Sequence, residues 1–176
     1  MTDWRAIVEQ FGPIVWKTAY RILGNESDAA DCFQETFMSA LGVAEKGQVN
    51  HWPALLRKLA TARAIDRLRQ RGVDRARSVQ RIDCSSITDD AIDPQQSAET
   101  AELAEKLRDS LRHLPPREAA VFCLRLIDEL SYDEIADELG LTTNSVGVLL
   151  HKARKRLRNL WERSETDCAS SKGGQP

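Results

Sequence analysis

At 176 residues with 41% hydrophobic side chains, the chain has material for one domain or two small ones with modest cores. A formal charge of −2 and a pI near 6.0 exclude a uniformly basic protein held to polyanions by net charge. No apolar run of membrane-spanning length and no N-terminal signal pattern occur, so a soluble, cytoplasmic protein without direct membrane insertion is expected.

Trp4, Ile7, Val8 and Phe11 form one helical stripe, and Ile14, Val15, Ala19, Ile22 and Leu23 form a second after Gly12-Pro13, so two helical pieces are predicted. Asn25 is a candidate N-cap for a helix over about 26–41, with Glu26 and Asp28 placing negative charge in its first turn. Ala29, Ala30, Phe33, Phe37, Ala40 and Leu41 point inward on that helix. Asp28, Asp31, Gln34 and Glu35 are left as a polar face, which spacing alone reads as solvated. After a Gly-containing loop, a helix over about 52–70 buries Leu55, Leu56, Leu59, Ala60, Ile65 and Leu68. Its other side carries Arg63, Arg67 and Arg71 at four-residue steps, followed by Arg75, with Asp66 and Asp74 the acids nearby. Such a stripe is either a solvated basic face or a track for phosphates.

Charge changes sign along the chain. Residues 83–105 hold Asp83, Asp89, Asp90, Asp93, Glu99, Glu102 and Glu105 without Lys or Arg, while Lys152 to Arg163 is basic again. Residues 81–96, acidic and without helical periodicity, read as a flexible linker. Leu103, Leu107, Leu111 and Leu114 then mark a helix over about 97–113, and Pro115-Pro116 ends it and opens another that buries Ala119, Ala120, Phe122, Cys123 and Leu126. Ser131-Tyr132-Asp133-Glu134 has the form of a capping box, Gly140 suits a helix C-terminus, and Thr142 can cap a longer helix carrying Val146, Leu149, Leu150, Ala153, Leu157 and Leu160. Short helix, Gly turn and long helix form either a helix-turn-helix, whose second helix enters the major groove, or a plain helical hairpin. Residues after Trp161 lack an apolar pattern and read as a disordered tail.

Cys32, Cys84, Cys123 and Cys168, like His51, His113 and His151, show no metal-ligand spacing. No Gly-rich phosphate loop, nucleophile elbow or paired His and acid is present, so neither metal, cofactor nor enzyme chemistry is expected.

Taken together these segments resemble bacterial RNA polymerase sigma factors of the short extracytoplasmic-function group. Asp28-Ala29-Ala30-Asp31-Cys32-Phe33-Gln34-Glu35-Thr36-Phe37 is similar to the family's Asp-Ala-x-Asp-x-x-Gln-Glu-x-Phe signature on the helix that docks on the polymerase clamp. Ala64-Ile65-Asp66-Arg67-Leu68-Arg69 resembles its promoter-melting helix, and Leu114-Pro115-Pro116-Arg117-Glu118 with the run to Arg158 resembles its upstream-element reader. The resemblance implies an all-α fold of two small helical domains: residues 1–80 (region 2, docking and melting) and 97–162 (region 4, helix-turn-helix, winged-helix-like). The linker over 81–96 joins them and the tail over 163–176 follows.

The implied partners are core RNA polymerase, through the clamp helices and flap of its large subunits, promoter DNA, and an anti-sigma factor, with the free chain a monomer. The implied polymerase-binding residues are Asp28, Asp31, Gln34, Glu35 and Phe37, the last equally a core residue. The implied DNA-binding residues are Arg63, Arg67 and Arg71, then Thr143, Asn144 and Ser145 at the recognition helix, with His151, Lys152, Arg154 and Lys155 reaching the backbone. Two departures stand out: Thr61 and Ala62 where many members carry Arg and Asn, and Gly147, Val148 and Leu149 where the family most often has Lys, Ser and Arg. The competing reading is a free-standing helix-turn-helix regulator that dimerises through its first domain.

Overall fold

The computed structural model describes residues 3–77 and 94–171, with side chains described over 3–73 and 99–163. The described residues form seven helices and no strand: α1 (Trp4–Leu23), α2 (Glu26–Ala44), α3 (Trp52–Arg77), α4 (Pro94–Leu111), α5 (Pro116–Leu126), α6 (Tyr132–Leu139) and α7 (Thr143–Ser171). Helices α1 to α3 pack on one another, and α5, α6 and α7 form the second unit, with α4 lying against α3 and α7.

Local chemistry sets most of the boundaries. Asp3 and Asn25 cap α1 and α2 by accepting from the backbone N–H groups of Ala6 and Asp28, and Gly24 ends α1 at φ 73°. Ser131 accepts from the Glu134 N–H while the Glu134 carboxylate accepts from the Ser131 N–H, so the capping box is complete. That backbone donor holds the Glu134 carboxyl below its ordinary range. Gly140 closes α6 at φ 64°, a conformation in which a Cβ would meet its own backbone, and Thr142 caps α7 by accepting from the Ser145 N–H.

Several expectations need correction. The first helix is not split at Gly12-Pro13: α1 runs through Pro13, and Gly12 is buried with a Cβ position 3.5 Å from the Phe33 ring. Pro13 forfeits one intrahelical bond, but packing of α1 against both α2 and α3 holds the helix together across it. Helix α3 continues beyond Gln70 to Arg77, and α4 starts at Pro94, inside the segment expected as linker; residues 78–93 lie outside the described residues. Helix α7 also runs through Ser171 into the expected tail, of which residues 172–176 lie outside the described residues. Once nucleated, a helix extends at little cost per residue, and the Trp161 indole N–H, donating to Ser110 Oγ at 2.9 Å, pins this part of α7 to α4. Leu41 and Leu126, expected inward, are 42% and 46% exposed, and Leu103 in the leucine repeat of α4 is 55% exposed.

The two units share apolar contacts. One cluster joins Ala19, Ile22, Ala64 and Ile65 to Leu111, Leu114, Val121 and Leu124, while a smaller cluster inside the first unit contains Ile7, Val15, Ala40, Leu56 and Ala60. Polar groups close the same seam. Arg69 donates to the carbonyls of Arg112 (3.3 Å) and Leu114 (2.8 Å) just past α4, and Arg21 donates to the Ile127 carbonyl (2.7 Å) after α5, so guanidinium groups satisfy helix ends of the other unit. Thr18 Oγ1 donates to Asp128 at 2.9 Å, and Arg57 pairs with Glu138. Burial pushes the Glu138 carboxyl up to about 7 against the pull of Arg57, and burial raises Asp128 in the same way.

Candidate functional site

The acidic face of α2 and the arginine stripe of α3 meet each other. The Arg67 guanidinium reaches Glu35 at 2.7 Å, Asp31 at 2.8 Å and Asp28 at 3.4 Å, and Arg71 pairs with Asp28 while donating to the Leu23 carbonyl at 3.1 Å. Burial opposes the charge of Arg67, but the carboxylates of Glu35 and Asp31 outweigh it and push the guanidinium up. The expectation of an arginine stripe with few acid partners is therefore corrected. Its acids come from a neighbouring helix, and Arg67 and Arg71 lie partly buried against them. Arg63 is exposed and donates to Ser39 Oγ at 2.9 Å, so its charge has no carboxylate partner among the described residues.

On the outer side of α2, Asp31 and Gln34 are exposed and Glu35 is half-buried. Asp28 is mostly covered, its side chain 20% exposed. Phe37 packs with Phe33, ring centroids 4.9 Å apart, and lies partly buried against the smaller cluster of the first unit. Trp52 is likewise structural, meeting Trp4 edge to face at 5.4 Å. Cys32 and Cys123 are buried thiols, and burial pushes Cys32 up to about 11; the described residues contain no group of side chains able to hold a metal ion.

Helix α7 divides cleanly. Val146, Leu150, Ala153 and Leu157 are buried, while Asn144, Val148, His151, Lys152 and Lys155 follow the opposite face at helical spacing, and Arg154 is exposed beside them. Thr143 and Ser145 are already occupied. Thr143 Oγ1 donates to Asp133 at 2.9 Å, tying α7 to α6, and Ser145 Oγ lies 2.8 Å from Thr142 Oγ1 within the cap. Of the three residues of the first turn, Asn144 is the one whose side chain faces outward without such a tie. Arg156 pairs with the buried Glu118 at 2.9 Å and so braces α7 on α5.

The α6 and α7 pair thus has the geometry of a helix-turn-helix, with a buried rear face and an outward face bearing an amide and cations. Two family models match the chain in order: "Sigma-70 region 2" over residues 7–73, from within α1 to within α3, and "Sigma-70, region 4" over residues 104–157, from within α4 to the middle of α7. The chain belongs to the sigma-70 family, in its extracytoplasmic-function group. It is 30% identical to the extracytoplasmic-function RNA polymerase sigma factor SigE of Mycolicibacterium smegmatis, over 97% of this chain and 66% of SigE. With SigW of Bacillus subtilis it shares 28% identity over 86% of this chain and 85% of that protein. It spans only 48% of the length of SigG of Mycobacterium tuberculosis, to which it is 30% identical. The fold is similar to that of the sigma factor RpoE of Bartonella quintana, solved in complex with the anti-sigma factor NepR, with a TM-score of 0.53 over 92% of this chain and 98% of that one at 17% identity. In this sigma-70 chain no helix among the described residues is long and apolar enough to cross a membrane.

Sequence reasoning missed the seam residues Thr18, Arg57, Asp128 and Glu138. No local pattern marks them, because each pair joins positions 81 or 110 residues apart. It gave no site role to Tyr132 and Val148, whose exposure as large apolar groups, 37% and 46%, follows from the helical phase of α6 and α7.

Proposed function

We infer that the chain is a promoter-specificity subunit that binds core RNA polymerase, reads an upstream promoter element with α6 and α7, and assists strand opening with the region around α2 and α3. The observation that carries this reading is the ordered match of both sigma-70 regions to the two helical units, with the acidic docking face in the first and the helix-turn-helix in the second. It acts by binding and positioning, without bond chemistry of its own.

In this reading Asp31, Gln34 and Glu35 meet the polymerase clamp, Arg67 and Asp28 hold that face in register, and Phe37, packed against the smaller cluster, supports it. Arg63, which has no carboxylate partner among the described residues, contacts phosphate near the melted region. Arg67 and Arg71 reach DNA only if they leave the α2 carboxylates. On α7, Asn144 meets base edges and His151, Lys152, Arg154 and Lys155 meet the backbone. Thr143 and Ser145 act mainly by fixing the helix that presents Asn144. The units over residues 1–80 and 97–162 are the proposed domains, and an anti-sigma protein is a proposed partner, supported by the complex in which the structural neighbour was solved.

Size-exclusion chromatography with purified core polymerase tests the docking face. The chain is expected to co-elute with core enzyme in equal amounts, and Gln34→Ala with Glu35→Ala to weaken that complex about tenfold while the chain stays folded, its melting temperature lowered slightly by loss of the Arg67–Glu35 pair. A free dimer that ignores core polymerase would overturn the assignment.

A further inference from the structure

The outward face of α7 carries an apolar notch that none of the residue assignments above uses. Its walls are Tyr132 and Val148, 37% and 46% exposed, and its floor is Gly147, where an added Cβ would lie 3.7 Å from Tyr132 Cε2. The Tyr132 ring is held from behind by the Arg125 guanidinium, 6.0 Å from its centroid, so the wall is braced rather than loose. Around the notch stand Asn144, His151 and Lys152. An exposed apolar patch set inside a polar, cationic face fits a small apolar group carried by a polar, anionic partner.

In the major groove that description matches one chemical feature, the C5 methyl of thymine. The first two turns of α7 contain no Lys or Arg before Lys152, so the guanidinium or ammonium that would grip the O6 and N7 of guanine is missing there. Asn144 instead carries the amide suited to the N6 and N7 edge of adenine. Val148 follows four residues on, about 6 Å along the helix, which is close to two base-pair steps of roughly 3.4 Å each. We propose that Val148, Tyr132 and Gly147 form a thymine-methyl reader that, with Asn144, makes A·T pairs about two steps apart the specificity-determining part of the upstream element. This rests on α7 reading promoter DNA.

The test uses holoenzyme, the full chain bound to core polymerase. Binding is selected from promoter duplexes randomised at the upstream element, and the selected duplex is then remade with deoxyuridine in place of each thymidine, which removes only the methyl group. A·T pairs about two steps apart are expected, with a loss of about three- to fivefold on the uridine duplex at one or two positions. Val148→Ala should bind the two duplexes equally while melting like the wild type. Gly147→Ala, which fills the notch, should shrink the thymidine preference while raising the melting temperature, as Gly to Ala does inside a helix. Equal binding of thymidine and uridine duplexes by wild-type holoenzyme, or selection of G·C pairs alone, overturns the proposal while leaving promoter reading intact. Absence of any preference across the upstream positions would remove DNA reading by α7 and the proposal with it.

Discussion

Arg67 sits where one guanidinium serves three carboxylates, and its side chain is 19% exposed. Removing it leaves Asp31 and Glu35 without their cation and Asp28 with Arg71 alone, so Arg67→Ala is expected to destabilise the chain by about 1–2 kcal/mol in urea unfolding, beyond the cost of an exposed ion pair. Arg67→Lys should recover only part, since an ammonium cannot span the three partners as a planar fork does. Arg63→Ala, which loses one exposed bond to Ser39, should leave the urea midpoint nearly unchanged while lowering the salt dependence of promoter opening. The four-residue spacing of Arg63, Arg67 and Arg71 was legible in the sequence, and so was the acidic face of α2. Their mutual engagement was not, because the partners of Arg67 stand 32 to 39 residues earlier in the chain and only the packing of α2 on α3 brings them together.

Helix α6 has only eight residues, too few to hold its form without its ends, and both ends carry a local signal that could be read beforehand. Ser131→Ala should cost about 1 kcal/mol and lower the melting temperature, because the Glu134 backbone N–H loses its acceptor at the start of the helix. Glu134→Gln keeps the reciprocal acceptor and should cost less, and equal losses in the two variants would mean that the box contributes nothing beyond burial of Ile135 and Ala136. Where boundaries were misread, packing overrode local chemistry. Pro13 reads as a helix start, yet α1 passes through it because α2 and α3 both pack against the helix, and the polar stretch after Trp161 reads as coil, yet α7 carries on through it. Caps and turns act over three or four residues and show in sequence; continuity across a Pro depends on partners far along the chain.

At the scale of the whole molecule, the described arrangement joins two units that the sequence presents as separate, through the apolar seam and the pairs Thr18 with Asp128 and Arg57 with Glu138. All-helical character, the order of the regions and the helix-turn-helix were readable because they rest on periodicity and caps, whereas the seam depends on single residues distant in sequence. Glu138 gives the seam a pH dependence. Its folded pKa of about 7 lies above the ordinary 4.5, so the joined form holds the proton more tightly than the opened chain. The stabilisation is full below about pH 4.5 and is lost as pH rises to about 7, an effect on the order of 2 kcal/mol that Glu138→Gln should abolish when melting curves at pH 5 and pH 8 are compared. A slope that survives in Glu138→Gln would assign the effect to Asp128 or to another group. The most direct test of promoter-specific action is transcription by purified core polymerase on a genomic promoter library, with transcript 5′ ends sequenced. With this chain added, transcripts should begin at a small set of defined sites sharing an upstream element, and they should vanish when the chain is left out. Initiation that is the same with and without the chain, while the chain alone binds DNA as a dimer, would contradict it.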